Sequence, residues 1–342
     1  MIQHDSLAQP LGLQQPPVGA AGWQLALKTA IRDPAELCRV LQLPATYRVA
    51  AERSSATFGL LVPRGYVARM RPADPHDPLL RQVLPLDAEL ESKEGFTPDP
   101  LGELVAMSAP GLLQKYAGRA LMVVTGACAV HCRYCFRRYF PYEAAGTPHW
   151  QAALDALSAA SDVEEVILSG GDPLVMGDER LAALAQRLAA IPHLRRLRLH
   201  TRLPIVIPER VCEPLINWLT GTRLVPIVVV HANHANELSE DVALALQRLV
   251  RAGVPVLNQS VLLRGVNDDL QSLAALCLRL VELRVMPYYL HLLDRVSGAA
   301  HFEVAQSRAI ELVRELRARL PGYAVPRLVR EVPGALSKVI VE

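Results

Sequence analysis

The chain reads as an α/β protein built on a partial, open (βα)6 TIM-type barrel with an N-terminal, mostly helical appendage. Three observations predict this. From residue 119 onward, short apolar runs alternate with longer amphipathic stretches, about thirty residues per unit. The runs are nearly continuous in Val, Ile and Leu, as strands covered on both faces by helical crossovers must be. Polar, chemically capable residues recur where each run ends, the end at which such a barrel carries its site.

In chain order, residues 1–22 are rich in Gln, Pro and Gly and predict a flexible tail. They lack the basic start and apolar block of a signal peptide. Residues 23–105 predict the appendage. Asp33-Pro34 opens a helical pattern through about Leu41, and the proline-dense run Arg71–Pro78 predicts extended or turning chain. Residues 106–342 hold the barrel and a C-terminal segment. The predicted strands are Ala120–Thr125, Val163–Ser169, Leu197–Thr201, Leu224–Val230, Val254–Leu262 and Val285–Leu290. Helical patterns fall at Asp178–Ala190, Glu209–Leu219, Ser239–Ala252 and Asp268–Leu283.

Composition narrows the class. Of 342 residues 51% are hydrophobic, enough for a large core. The net charge is +2 with no long basic run, so nothing argues for nucleic acid. No 18-residue apolar run predicts a membrane span. Six cysteines, three of them clustered, fit a reducing cytoplasm better than a disulfide framework, and Cys38, Cys212 and Cys277 read as core. Only Lys28, Lys93, Lys115 and Lys338 can supply a primary amine from a side chain.

The most specific stretch is Cys128-Ala-Val-His-Cys132-Arg-Tyr-Cys135. Three thiolates can hold three irons of a [4Fe–4S] cube and leave the fourth open for chemistry. A structural zinc site would need a fourth ligand, and His131 is adjacent to Cys132 and strained for that part. Inert buried thiols are the remaining reading.

Other stretches are weaker by themselves. Ser169-Gly170-Gly171-Asp172-Pro173 is a glycine-rich turn after a strand, either a plain tight turn or one whose N–H groups are free for a ligand. Lys115-Tyr116-Ala117-Gly118-Arg119 is a solvated connector or a phosphate clamp. Lys338, on a Pro-Gly loop, is by default a solvated charge; the functional reading is a Schiff base with pyridoxal 5′-phosphate (PLP) in a dry pocket.

Together these motifs carry a resemblance. Cys-x3-Cys-x-Tyr-Cys resembles the radical S-adenosylmethionine (SAM) superfamily. The box around Tyr116, the cysteine loop with Arg137 after it, and Pro333-Gly334-Ala-Leu-Ser-Lys338 resemble the lysine 2,3-aminomutase family. Further matches are Ser169–Pro173, His200-Thr-Arg-x-Pro204, His231-x-Asn-His234, the block Asn258–Asp268 and Pro287-Tyr-Tyr289 with Leu290–Asp294. They span about residues 55–340.

The resemblance implies an isomerase acting on L-lysine by a radical 1,2-amino shift, with a [4Fe–4S] cluster, SAM and PLP, and an external reductant. Cys128, Cys132 and Cys135 would hold the cluster. Ser169, Gly170, Gly171, Asp172, His200, His231 and Gln259 would contact SAM. Lys338 would carry PLP, with Lys115, Tyr116, Arg119 and Gln259 also around that cofactor. Arg137 would pair with the substrate carboxylate, and Asp294 and Glu331 with its distal ammonium. Two carboxylates select a diamino acid, since a buried cation is tolerated only when closely paired.

This sequence departs from the longer fermentative enzymes. It stops at Glu342, Asp269 stands where they place a zinc cysteine, and Glu331 replaces an aspartate. These features resemble the shorter branch, the elongation factor P β-lysylation enzymes, which make (R)-β-lysine for a separate ligase. A catabolic or osmolyte-making aminomutase and a degenerate iron–sulfur scaffold are the competing readings. A homo-oligomer is left open.

Overall fold

A computed structural model of the chain describes residues 22–143 and 150–342; most of the predicted tail lies outside the described residues. Ten strands form one sheet in sequence order. They are β1 (Met107–Ala109), β2 (Leu112–Tyr116), β3 (Arg119–Thr125), β4 (Glu165–Gly170), β5 (Arg196–Thr201), β6 (Val225–Val230), β7 (Val256–Val261), β8 (Met286–His291), β9 (Arg327–Arg330) and β10 (Val339–Ile340). Strands β3 to β9 are parallel neighbours. The sheet is an open TIM-type barrel flanked by helices.

The six predicted strands are β3 to β8. Two corrections follow. A seventh parallel strand, β9, extends the barrel beyond six units and returns antiparallel as β10, with Val339 opposite Arg330. The segment Lys115–Arg119 is no connector: it is the hairpin from β2 to β3, with Tyr116 opposite Arg119 and Gly118 at φ +73° in the turn. Only a residue without a Cβ adopts that conformation freely.

The helices form for the reason their pattern predicted. In Asp178–Ala189, Leu181, Leu184, Ala185 and Leu188 are buried along one stripe, and Asp178 and Glu179 stand at its N-terminus. Leu270–Glu282 buries Leu273, Ala274, Leu276, Cys277 and Leu280 in the same way, capped by Asp269. Truncating one of these leucines to alanine would remove about 2–5 kcal/mol.

The appendage is helical in short pieces. Pro34–Val40 starts on an Asp33 cap that accepts from Ala35 N–H, and Leu41 closes it. Its apolar residues share one contiguous core with much of the barrel, from Trp23 to Val285, while two smaller clusters lie under the last strands, around Leu290 and around Phe302. Cys38, Cys212 and Cys277 are buried and unpaired.

Candidate active site at the strand exits

A cavity of about 390 Å³ opens at the C-terminal ends of the parallel strands. Every candidate residue named from the sequence lines it. For most of them a parallel sheet makes this possible, because segments far apart in sequence leave neighbouring strands on one side, whereas Lys115, Tyr116 and Arg119 reach the cavity from the β2–β3 hairpin at the start of β3.

The cysteine loop follows β3 and packs on the appendage. His131 N–H donates to Leu61 O at 2.9 Å, its Nδ1 lies 2.8 Å from Gly59 O, and its ring stacks on Phe58. That ring is therefore turned away from the thiols. No three His, Cys, Asp or Glu side chains among the described residues converge on one metal-ion position. Thiols that hold separate corners of a cube need not converge, so the donor set fits a cluster and not a mononuclear zinc site. Burial and the neighbouring thiols raise Cys128 and bring Cys135 up to about 11. Iron would reverse this, since a bound metal ion deprotonates its thiol.

The glycine turn after β4 is built differently from expectation. Gly171 N–H donates to Thr125 O at 2.7 Å and Asp172 N–H to Ala127 O at 2.8 Å, so neither is free for a ligand. A Cβ on Gly171 would overlap the Ala127 carbonyl. These glycines let β4 press against the root of the cysteine loop. Asp172 is buried and bonds Thr201 Oγ1 at 2.7 Å, Arg202 N at 2.6 Å and Leu174 N at 3.0 Å, bracing the exit of β5.

At the cavity wall a chain of alternating charges runs between the glycine turn and the C-terminal loop. Arg137 donates to Glu103 twice, at 2.6 and 2.8 Å, and through Nη1 to Ser169 Oγ at 3.0 Å. Nη1 also lies 3.5 Å from Gly170 O, so the guanidinium is engaged on both sides. Lys115 lies 3.4 Å from Glu103 and 3.0 Å from Glu331, and Glu331 accepts from Lys338 Nζ at 2.5 Å. Lys338 Nζ is also 5.9 Å from the Tyr289 ring centre. Arg119 packs 4.7 Å over the ring of Tyr116.

Electrostatics divide the two acids expected to act together. Burial raises Glu331, but the Lys338 and Lys115 ammoniums overcome this and hold it at about 2. Burial and the charge of Glu331 push Asp294 up to about 7, against the pull of the same lysines. Burial also lowers His200, His291 and His231, the last to about 4. The Nε2 atoms of these three neutral histidines, and Gln259 Oε1, are buried with no hydrogen-bond partner among the described residues. Buried polar atoms without partners are rare, yet these four, with Tyr116 Oη, Arg138 Nε and Arg202 Nε, belong to residues lining one cavity. They fit a polar ligand such as SAM, PLP or an amino acid.

Sequence reasoning missed Glu103, which organises Arg137 and Lys115. It also missed the buried pair Arg202–Glu237 behind the thiols. The signal for Arg202 was present, since it follows His200 and Thr201 at a strand exit; Glu103 has no motif.

Residues 122–277 match the family model of the radical SAM superfamily. A cysteine loop after the first parallel strand and a cavity at the strand exits therefore belong to a radical SAM enzyme, the class that works with a [4Fe–4S] cluster and SAM. The chain is 49% identical to the Escherichia coli protein named L-lysine 2,3-aminomutase, over 92% of this chain and 93% of that one. It is 45% identical to the protein of that name from Haemophilus influenzae, over 93% and 95%, and 34% identical to the one from Clostridium subterminale, over 93% and 77%. The chain belongs to the lysine 2,3-aminomutase family, an isomerase family.

Proposed function

We propose that the chain converts L-α-lysine to (R)-β-lysine with a [4Fe–4S] cluster, SAM and PLP, and that the product serves the modification of elongation factor P by a separate ligase. The observation that carries this reading is one cavity lined by Cys128, Cys132 and Cys135 and also by Lys338, Asp294 and Glu331. The names of the relatives support lysine as substrate. The higher identity to the Escherichia coli and Haemophilus influenzae proteins than to the Clostridium one supports the shorter branch.

When bound, the cluster and SAM supply a carbon-centred radical, and PLP supplies a conjugated system on the migrating nitrogen. The residues do the rest. Lys338 offers the amine that anchors the aldehyde cofactor, and Glu331 holds that amine in place until the cofactor arrives. Tyr116, Arg119 and Lys115 lie at the β2–β3 turn, where a phosphate meets a phenol and cations. Arg137 would meet the substrate carboxylate through its Nη atoms, exchanging the contacts to Ser169 and Gly170 while Glu103 keeps the guanidinium oriented. Asp294 and Glu331 receive the distal ammonium, which ionises Asp294 and takes the place of Lys338 beside Glu331.

The test is chiral analysis of the product. Anaerobically reconstituted protein given SAM, PLP, dithionite and L-lysine should yield (R)-β-lysine, and Lys338→Ala should yield none. An (S) product would remove the elongation factor P assignment, and full turnover by Lys338→Ala would remove the PLP assignment.

A further inference from the structure

Arg202 has no part in the reading above, yet it is one of the most constrained cations in the molecule. It lies just beyond β5 and is 5% exposed. Its Nη1 donates to Cys132 Sγ at 2.7 Å. Its Nη2 faces Gln82 Oε1 at 2.7 Å, Glu237 Oε2 at 2.8 Å and Tyr66 Oη at 3.1 Å. The other Glu237 oxygen accepts from Asn233 N–H at 2.8 Å and Gln82 Nε2 at 3.2 Å. Tyr66, Gln82 and Glu237 are fully buried. A long, flexible side chain is thus fixed by partners from the appendage and two strand exits, with one N–H aimed at a single sulfur.

That arrangement has an electronic consequence. A hydrogen bond and a positive charge at a ligating sulfur favour the more negative, reduced cluster and raise its potential. In a buried site the effect is little screened. Glu237 opposes it from farther away, on the side of the guanidinium remote from the sulfur. We propose that Arg202 is a positioning residue that sets the reduction potential of the cluster through Cys132, with Glu237 as counter-charge and Tyr66 and Gln82 holding the pair in register. The inference needs only the cluster, and stands apart from the assignment of lysine or PLP.

The test compares wild type with Arg202→Gln, Arg202→Lys and Glu237→Gln as full-length, anaerobically reconstituted proteins. The readout is potentiometric titration of the reduced-cluster EPR signal without SAM, with dithionite supplying the electron. Arg202→Gln should move the midpoint to more negative values, Glu237→Gln to less negative values, and Arg202→Lys should stay nearer wild type than Arg202→Gln. A merely structural network would not give opposite signs for the two neutralising variants. An unmoved midpoint in Arg202→Gln, or shifts of one sign in both, overturns the proposal. If Arg202→Gln does not retain iron, Glu237→Gln decides: a less negative midpoint supports the proposal, and an unchanged or more negative one overturns it.

Discussion

Asp294 and Glu331 carry the same functional group and line one cavity, yet their surroundings push them apart. Glu331 stays ionised because two lysines reach it, whereas burial and the charge of Glu331 bring Asp294 up to about 7, so that it loses its proton across the neutral range. A neutral Asp294 cannot pair with a substrate ammonium. On the proposed reading, kcat/KM for lysine falls as pH drops from 8 to 6, and Asp294→Asn flattens that limb at a lower overall rate. A pH profile of both proteins checks this, and identical limbs would exclude Asp294. The linkage sign is equally definite. The folded value lies above the ordinary 3.8, so the folded state holds a proton that the unfolded chain has released. Stability is therefore lost as pH rises from about 4 through 7, and Asp294→Asn should raise the melting temperature more at pH 8 than at pH 5. Glu103 is an acid paired with a buried arginine. Glu103→Ala leaves Arg137 uncompensated and should cost about 3–5 kcal/mol, read as a lowered urea midpoint. The cysteines and Lys338 were legible because their chemistry demands those residue types at that spacing. Glu103 was not: Leu101-Gly102-Glu103-Leu104 has no signature, and its partner lies 34 residues on.

The strands and helices of the barrel were legible to within a few residues because burial on both faces leaves long apolar runs. The helices Gln151–Ala159 and Gln306–Arg319 were not singled out, and other elements escaped because they are short or pinned by contacts. Strand β9 has four residues with only Leu328 and Val329 buried, too few for a period to emerge. Its importance comes from position: with β10 it frames the loop that brings Lys338 back to Glu331. The glycine turn was found, but for a different reason from the one expected. Its N–H groups serve the cysteine loop, and its missing side chains admit that loop. Gly171→Ala would place a Cβ against the Ala127 carbonyl, one residue before Cys128. Relief requires the β4 exit or the cysteine loop to move, at about 1–3 kcal/mol. The expected outcome is a lower melting temperature together with fewer irons bound per chain after reconstitution. Normal iron content with only a stability loss would show that the turn does not position the loop.

At the scale of the whole molecule the division between appendage and barrel is a division of sequence more than of packing. Trp23, Leu37, Tyr66 and Leu80 share a core with Leu168, Leu199 and Val230. Polar contacts cross the same boundary. Arg133 N–H donates to Gln82 O at 2.9 Å, its guanidinium pairs with Glu89 at 2.7 and 2.5 Å, and Arg138 reaches Glu89 at 2.8 Å. The appendage therefore buttresses the cysteine loop from behind, as the barrel does from the front. Independent domains would instead meet through a modest, more polar surface. The order of elements was legible; this sharing was not, because nothing in a local pattern says which distant face an apolar helix will cover. It has a thermodynamic consequence. Two parts that share one core unfold together, since neither can expose its half without losing the other's. Urea titration of the Trp150→Phe/Trp218→Phe variant should give one transition with coincident midpoints for far-UV ellipticity and for the fluorescence of Trp23, which lies in the appendage but packs 4.6 Å from Arg210 of the barrel. An appendage that melted first would show as an early fluorescence change with ellipticity largely retained, and would mean that the buried Tyr66–Gln82–Arg202–Glu237 contacts do not couple the two parts.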